Sequence, residues 1–224
     1  MFDRIAGFYD GTNRILSIGL DAYWRRRGVQ RLSAKPGGTY LDVGCGTGDI
    51  ALEIVRQSPQ SQVVGIDPSL GMLELGRKKV EEAGLSNSIS LLQGDALNLG
   101  YEADSFDGAI SSFCIRNVTR RKQALQEILR VVRPGGVLVI VELTEPGGPI
   151  MKPLFRIYSH IVMPAVTKVM SSVPAYRYLT DSMADFPRPQ LFAELMADAG
   201  FVNMGFVHLT GGIVTLFWGH VPSH

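Results

Sequence analysis

The most informative segment of the chain is Leu41-Asp42-Val43-Gly44-Cys45-Gly46-Thr47-Gly48-Asp49. An apolar run at residues 39–43 leads into its three glycines, and a helical pattern at residues 50–56 follows. Glycine permits a backbone with positive φ and leaves no side chain between the main chain and a ligand. The segment therefore predicts a strand, a tight turn and a helix. The turn is either a ligand cradle or a plain structural connection.

The spacing of these glycines argues against a dinucleotide site. The dinucleotide fingerprint G-x-G-x-x-G ends in a glycine where the diphosphate meets the helix N-terminus. Counted from Gly44 that position is Asp49, and counted from Gly46 it is Ala51. A carboxylate at Asp49 disfavours a diphosphate, and with it a nicotinamide dehydrogenase. It suits a cofactor that carries positive charge, such as the amino group and sulfonium of S-adenosylmethionine.

Strands and helices alternate along the chain around this turn. Apolar runs predict five strands, at residues 39–43, 62–66, 88–92, 106–113 and 137–142. Helical patterns fall between them, one capped by Ser69 and another at residues 119–132. Two further strands, 201–209 and 212–220, are joined by a tight turn and are expected to be antiparallel. The predicted fold class is therefore α/β: a Rossmann-like, seven-stranded, mostly parallel sheet with one antiparallel strand and helices on both faces.

The remaining helical segments precede and follow this pattern. Residues 1–35 predict a helical cap that is broken near Asn13 and Gly19, and residues 146–188 predict a helical lid over the ligand edge. The 224 residues fit one domain, 1–224, and 46% hydrophobic with 19% charged residues is typical of a globular protein.

Charge and cysteine content exclude several classes of protein. A net charge of +1 gives no electrostatic footprint for nucleic acid. The two cysteines, Cys45 and Cys114, form neither a zinc pattern nor a disulfide framework, so we expect no metal and a reducing, cytoplasmic compartment. The N-terminus lacks the layout of a signal peptide, and no apolar run is long enough to span a bilayer.

Acidic residues stand where successive predicted strands end. Right-handed crossovers bring the carboxyl ends of parallel strands to one edge of the sheet, where open α/β folds bind ligands. Asp67, about 20 residues past the glycines, is placed to accept hydrogen bonds from a ribose hydroxyl pair; a helix cap is the alternative. Asp95 can accept the adenine amino group or simply close a turn. Met72 can pack on the adenine or belong to the core.

A polar stretch, Ser112-Phe113-Cys114-Ile115-Arg116-Asn117-Val118, follows the fourth strand. We expect it to face the methionine end of the cofactor, with Ser112 binding the cofactor carboxylate. Arg116 and Asn117 are polar groups just outside an apolar strand. Their alternatives are a surface salt bridge for Arg116 and a cap or turn for Asn117.

These motifs together resemble a known family. The glycine turn, Asp67, Asp95-Ala96 and Arg130-Val131-Val132-Arg133-Pro134-Gly135-Gly136 look like a class I methyltransferase. Residues 46–49 with Ile115-Arg116-Asn117-Val118 narrow the resemblance to the ubiquinone/menaquinone biosynthesis C-methyltransferase family, which includes demethylmenaquinone methyltransferase. Residues 2–10, 175–179, 198–201 and 209–212 are also similar to that family. The likeness therefore covers nearly the whole chain.

The resemblance implies roles for individual residues. By the resemblance, contacts with S-adenosylmethionine are expected from Thr47, Asp67, Asp95, Ala96 and Ser112. The glycine turn and the helix after the second strand add Gly44, Gly46, Gly48 and Met72 to the expected cofactor contacts. By the same resemblance the substrate ring is expected near Tyr9, Arg116, Asn117 and Tyr178, and Tyr158 in the insertion is a further candidate. The implied activity is methyl transfer to a ring carbon of a prenylated quinol of the demethylmenaquinol or demethylubiquinol type, with S-adenosylhomocysteine as the other product.

Carbon methylation needs an electron-rich ring carbon aimed at the sulfonium methyl. A cation that stabilises the phenolate raises the nucleophilicity of that carbon, and Arg116 is the candidate. Tyr9, or a water held by Asn117, is the candidate for removing the ring proton. Two alternatives stay open: a methyltransferase for another small molecule, and a non-catalytic, cofactor-binding subunit of a quinone-biosynthesis complex.

The insertion at residues 146–188 is a candidate binding region for the prenyl tail of such a substrate. Apolar residues at helical spacing, among them Met151, Leu154 and Phe155, predict an apolar channel, a membrane-facing surface or the core of the lid. We therefore expect peripheral contact with the inner face of the membrane. A homodimer is a further association to test.

Overall fold

The computed structural model describes residues 11, 14–159, 182–183 and 185–223. The first half of the chain holds α1 (Leu20–Leu32), β1 (Thr39–Val43), α2 (Asp49–Gln57), β2 (Gln62–Asp67), α3 (Leu70–Glu82), β3 (Ile89–Gln93) and β4 (Phe106–Ser112). The second half holds a 3-10 turn (Ile115–Asn117), α4 (Arg121–Val131), β5 (Val132–Leu143), α5 (Met151–Ile157), α6 (Pro189–Ala199), β6 (Val202–Leu209), a second 3-10 turn (Thr210–Gly212) and β7 (Val214–His220).

All seven strands form one sheet in the order β3-β2-β1-β4-β5-β7-β6. The pairs from β3 to β5 are parallel, whereas β7 runs antiparallel to both β5 and β6. The predicted sheet with one antiparallel strand is therefore confirmed. Because β1, β2 and β4 lie side by side, the segments that follow them meet at one edge.

Helices cover both faces of the sheet over two hydrophobic clusters. On one face α1, α2 and α3 contribute Trp24, Ile54 and Leu73. On the other face α4 and α6 contribute Ile128 and Phe192. All five side chains are buried, and their removal from water is the main favourable term in folding. The sheet edge is held from both sides and is therefore a rigid base for a site.

The start of β5 differs from the prediction. We expected Pro134-Gly135-Gly136 to end the preceding helix and the strand to begin at Val137, but β5 begins at Val132, directly after α4. The register with β4 shifts here, since Phe106 pairs with Val132 and Gly108 with Val137. A bulge accommodates a proline, which cannot donate to the ladder. The motif therefore sits inside the strand as an irregularity.

The two predicted helical additions are described only in part. Within the predicted cap, α1 starts after Gly19, whose φ of 76° agrees with the predicted break; residues 1–10, 12 and 13 lie outside the described residues. Within the predicted lid, α5 is described, whereas residues 160–181 and 184 are not. Across the described ranges, no helix combines the length and the hydropathy needed to cross a bilayer.

Candidate cofactor site

A cavity of about 400 Å³ opens at the carboxyl ends of β1, β2 and β4. Its walls include seven of the nine residues that were predicted to contact the cofactor: Gly44, Gly46, Asp67, Met72, Asp95, Ala96 and Ser112. Asn117, predicted to lie near the substrate, also lines it. The structure therefore brings together in one place residues that are spread over more than seventy positions of sequence.

The glycine turn after β1 lies close to β2 on one side and to the segment that follows β4 on the other. The amides of Gly44 and Cys45 donate hydrogen bonds to the carbonyl of Ile66, at 2.8 and 2.9 Å. Gly44 has a φ of 74°, and a Cβ built on it would lie 2.2 Å from Cys114 Sγ. Both the conformation and the space exclude a side chain here. The main chain therefore forms this wall of the cavity by itself.

Asp67 is fixed by the backbone on both oxygens. Its Oδ2 accepts from the amide of Gly46 and its Oδ1 from the amide of Ser69, each at 2.9 Å. Ser69 caps α3, because its Oγ accepts from the amide of Met72. A carboxylate oxygen has lone pairs for more than one donor, so Asp67 can hold the turn and still accept hydrogen bonds from a ribose.

Asp95 closes a turn and also lines the cavity. Its Oδ1 accepts from the amide of Leu97 at 2.9 Å, and its carbonyl accepts from the amide of Asn98 at 3.0 Å. The turn interpretation is therefore correct, and the same residue lines the cavity beside Ala96. The turn fixes the carboxylate where it can meet a ligand amino group.

Thr47 and Gly48 are not among the described residues that line the cavity. The Thr47 hydroxyl accepts a hydrogen bond from Lys79 Nζ at 2.9 Å, on the side of α3. Asp49, which begins α2, pairs with Lys79 at 2.8 Å and with Arg25 at 3.2 Å. Its charge is therefore balanced by two protein cations, and its predicted attraction for a positively charged cofactor is correspondingly reduced.

Two polar atoms in the cavity wall have no hydrogen-bond partner within the described part of the chain. Ser112 Oγ and Asn117 Oδ1 are buried and have no hydrogen-bond partner among the described residues. A buried polar group without a partner costs about 1–3 kcal/mol, so its presence points to a partner that arrives with the ligand. The charged methionine end of S-adenosylmethionine carries both donors and acceptors. These residues fit the cofactor by their chemistry.

Asp42 is a feature of the site to which the sequence assigned no role. It lies on β1 just before the glycine turn and is wholly buried, and neither of its oxygens has a hydrogen-bond partner of good geometry among the described residues. Burial raises its pKa to about 8, and the negative charges of Asp67 and Asp49 act in the same direction. The amide of Ala51 and the charge of Arg25 lower it in part. The buried carboxyl beneath the glycine turn therefore holds a proton at neutral pH.

Arg116 lies behind the cavity wall. Its Nη1 forms a buried ion pair with Glu142 Oε1 at 2.7 Å and also donates to the carbonyl of Phe113. Its Nε donates to Ser182 Oγ at 3.2 Å, and its own amide donates to Glu142 Oε2 at 3.1 Å. The charge predicted to face the substrate is therefore compensated by Glu142, a partner that the sequence did not indicate.

The remaining candidate residues are three tyrosines and Cys114. Tyr9 and Tyr178 lie outside the described residues. The hydroxyl of Tyr158 donates to the carbonyl of Leu16, and burial raises its pKa. Cys114 lines the cavity, and burial raises the pKa of its thiol to about 12. It is therefore protonated at neutral pH and serves as a small, weakly polar wall.

The sheet order, the glycine turn and the acidic strand ends define an S-adenosylmethionine-dependent methyltransferase of the Rossmann-like type. The sequence model of the ubiE/COQ5 methyltransferase family matches residues 1–221. The chain belongs to this family.

Individual relatives agree with this assignment. A ubiquinone/menaquinone biosynthesis C-methyltransferase UbiE from Syntrophotalea carbinolica is 43% identical over 219 residues, which cover 98% of this chain and 92% of the relative. A demethylmenaquinone methyltransferase from Desulfitobacterium hafniense is 36% identical over 223 residues, covering 99% and 88%.

Solved structures support the fold. A SAM-dependent methyltransferase from Aquifex aeolicus has a TM-score of 0.66 at 17% identity, and the match covers 90% of this chain and 92% of that one. Phosphoethanolamine N-methyltransferase 2 from Haemonchus contortus, solved with S-adenosyl-L-methionine, has a TM-score of 0.67 at 17% identity, covering 89% and 52%. Both share the chain fold of this protein.

Proposed function

We propose that this chain transfers a methyl group from S-adenosylmethionine to a ring carbon of a prenylated quinol, of the demethylmenaquinol or demethylubiquinol type. The observation that carries the proposal is the Ile115–Asn117 turn, which places Asn117 in the cofactor cavity and Arg116 directly behind it. The names of the relatives from Syntrophotalea carbinolica and Desulfitobacterium hafniense give the substrate class.

When bound, S-adenosylmethionine supplies an electrophilic methyl group. In our proposal Asp67 orients the ribose, Asp95 accepts the adenine amino group and Met72 packs against the adenine. Ser112 and Asn117 hold the polar methionine end with the atoms that lack partners in the described residues. Together these contacts fix the direction of the methyl group, and such alignment is a large source of rate enhancement.

The substrate side is proposed around Arg116 and Asn117. Because Glu142 balances the charge of Arg116, Arg116 would assist a phenolate through its N–H groups and local field rather than as a free cation. Asn117, or a water that it holds, would take part in removing the ring proton. Tyr9, Tyr158 and Tyr178 complete the proposed surroundings of the ring.

A turnover assay tests the proposal. Purified chain is mixed with labelled S-adenosylmethionine and with reduced demethylmenaquinone and demethylubiquinone analogues, and we expect label in the ring of at least one. Absence of transfer to both would refute the proposed function. Tight cofactor binding without transfer would instead support a non-catalytic subunit.

Two variants test the proposed roles at the turn. Arg116→Ala is expected to lower kcat about a hundredfold or more, the usual scale for one stabilising donor in a transition state. Asn117→Ala is expected to lower kcat and also to weaken cofactor binding. Full turnover and normal quinol affinity in Arg116→Ala would remove Arg116 from the mechanism.

We extend the proposal to location and assembly. A prenylated quinol resides in a bilayer, so we propose that the chain works in the cytoplasm at the inner face of the membrane. Sedimentation with membrane vesicles tests the first point, and light scattering of the purified chain tests whether it forms a homodimer.

A further inference from the structure

An exposed group of aliphatic side chains lies on two segments near the N-terminal end of α1. The first segment is residues 14–20, where Ile18 is 77% exposed. The second is residues 150–158, where Ile150, Leu154 and Ile157 are 70%, 54% and 55% exposed. Soluble monomers rarely expose large contiguous apolar patches, and such patches mark interaction sites.

Side-chain contacts bring the two segments together. The Tyr158 hydroxyl, at the end of α5, donates a hydrogen bond to the carbonyl of Leu16. The two segments are therefore in contact, and their exposed aliphatic side chains lie on neighbouring parts of the surface. We call this surface the apolar edge and define it as Ile15, Ile18, Ile150, Leu154 and Ile157.

Among the residues that the structure describes, helix α5 presents an exposed apolar stripe within this surface. None of its seven residues is buried. Ile150, Leu154 and Ile157 recur at spacings of four and three, which aligns them along one side of the helix. A helix this short is unstable alone in water, and burial of its apolar face normally supplies the missing stability. Contact with an apolar surface or a lipid phase would therefore stabilise this helix.

The border of the apolar edge is positively charged. The segments 14–20 and 150–158 contain the exposed residues Arg14, Lys152 and Arg156 and no Asp or Glu. The nearest acidic residues along the chain are Asp21, which pairs with Arg25, and the exposed Glu145. An apolar stripe with a basic border is the pattern of a surface that lies among the headgroups of an anionic bilayer. A second copy of the chain would bring the same positive border against itself, which disfavours a symmetric dimer here.

The apolar edge is also close to the cofactor cavity. Phe113 lines the cavity, and its ring centroid is 6.1 Å from that of Trp24. Trp24 Nε1 donates to Thr210 Oγ1 at 2.8 Å. The next residue of that turn, Gly211, packs on Met151 of α5, because a Cβ at Gly211 would lie 2.7 Å from Met151 Cγ. A short path of contacting side chains therefore joins the cavity wall to α5.

We propose that the apolar edge binds the surface of a bilayer that contains anionic lipids and holds the cavity where a membrane-resident quinol can reach it. Binding to the bilayer follows from the surface alone. Delivery of the quinol rests on the proposed function.

Vesicle flotation of the full chain tests the proposal. The vesicles contain phosphatidylcholine alone or mixed with phosphatidylglycerol. Leu154→Asp is expected to weaken binding to the mixed vesicles at least about tenfold, since it removes a buried leucine from the bound state. Leu191→Asp is the matched control, because Leu191 is 56% exposed on α6 and lies outside the apolar edge. We expect it to bind as the wild type does.

The variant Lys152→Gln separates the electrostatic contribution to vesicle binding from the apolar one. It is expected to weaken binding to anionic vesicles about fivefold, the scale of one basic residue at such a surface, and to leave binding to phosphatidylcholine unchanged. Ile18→Asp repeats the test on the other segment in case Leu154→Asp does not fold. S-adenosylmethionine affinity reports folding of every variant.

Three results distinguish the outcomes. Wild-type vesicle binding by both Leu154→Asp and Ile18→Asp would overturn the proposal. A change of oligomeric state with unchanged vesicle binding would also overturn it and assign the edge to contact between copies. A water-soluble, short-tailed demethylmenaquinol should be methylated equally by wild type and Leu154→Asp; failure of both on this substrate would count against the proposed function and leave the vesicle result standing.

Discussion

Replacing Gly44 by alanine tests the main-chain cradle in two separable ways. The φ of 74° at this position is unfavourable for any residue with a Cβ, by about 1–2 kcal/mol. The new Cβ would also lie 2.2 Å from Cys114 Sγ and 2.5 Å from Cys114 Cβ, and overpacking of this kind costs about 1–3 kcal/mol. We therefore expect Gly44→Ala to lower the free energy of unfolding by about 2–5 kcal/mol.

A second substitution at Cys114 separates the steric part from the conformational part. Cys114→Ala keeps a Cβ 2.5 Å from the new methyl group, so it should relieve little of the clash. Cys114→Gly leaves only the Cα, 3.9 Å away, which is ordinary van der Waals contact. The pair Gly44→Ala and Cys114→Gly should therefore show a favourable coupling energy of about 1–3 kcal/mol in a double-mutant cycle.

Urea denaturation of the two cycles, without cofactor, measures these energies. S-adenosylmethionine affinity by calorimetry adds a functional reading, because the strained turn and its methyl group remain in both double variants; we expect weaker binding in both. Equal coupling for Cys114→Ala and Cys114→Gly would show that the steric reasoning is wrong. Wild-type stability of Gly44→Ala would refute the described turn geometry altogether.

Three further predictions concern the acidic residues. The raised pKa of Asp42, about 8 against an ordinary 3.8, means that the folded state binds a proton that the unfolded state releases; cofactor-free stability should therefore fall as the pH rises through that window. Asp42→Asn should reduce that slope in unfolding measurements at several pH values, and an unchanged slope would contradict the assignment. Glu142→Gln leaves the Arg116 charge buried without its partner and should cost about 3–5 kcal/mol, seen as a large fall in Tm; a fall in stability below about 1 kcal/mol would mean that water reaches the pair. Asp67→Asn replaces an acceptor of two backbone hydrogen bonds and should weaken S-adenosylmethionine binding at least about tenfold, with calorimetry as the measurement and unchanged affinity as the contrary result.

The fold was predictable because local patterns determine it. Each apolar run from β1 to β4 recurs as a strand within one or two residues of its predicted bounds, and the Ser69 cap forms as expected. The error at β5 has a physical cause. Pro134 and two glycines are typical of a turn, but pairing with β4 absorbs them as a bulge. Sequence pattern carries no information on that pairing.

The sequence located the candidate site at the ends of the strands, but it did not show which charged residues of the site form ion pairs. The strand-end rule locates Asp67 and Asp95, since it depends only on topology. Arg116 and Glu142 are 26 residues apart, and Lys79 lies 30 residues from Asp49. Such pairs form by contact between separate elements, so a single sequence does not indicate which charges are compensated. The role of Arg116 beside a phenolate and that of Asp49 beside a positively charged cofactor were both predicted without knowledge of these partners.

The Ile115–Asn117 turn has contacts on two sides, toward the cofactor cavity and toward the predicted lid. Asn117 faces the cofactor cavity, Arg116 reaches back to Glu142 on β5, and its Nε contacts Ser182. Arg121 adds a second link, since its Nη2 bonds both the carbonyl of Arg116 and the carboxylate of Asp185. The Ile115–Asn117 turn therefore joins the wall of the cofactor cavity to the residues that end the predicted lid, and this is why our proposal places substrate contacts there.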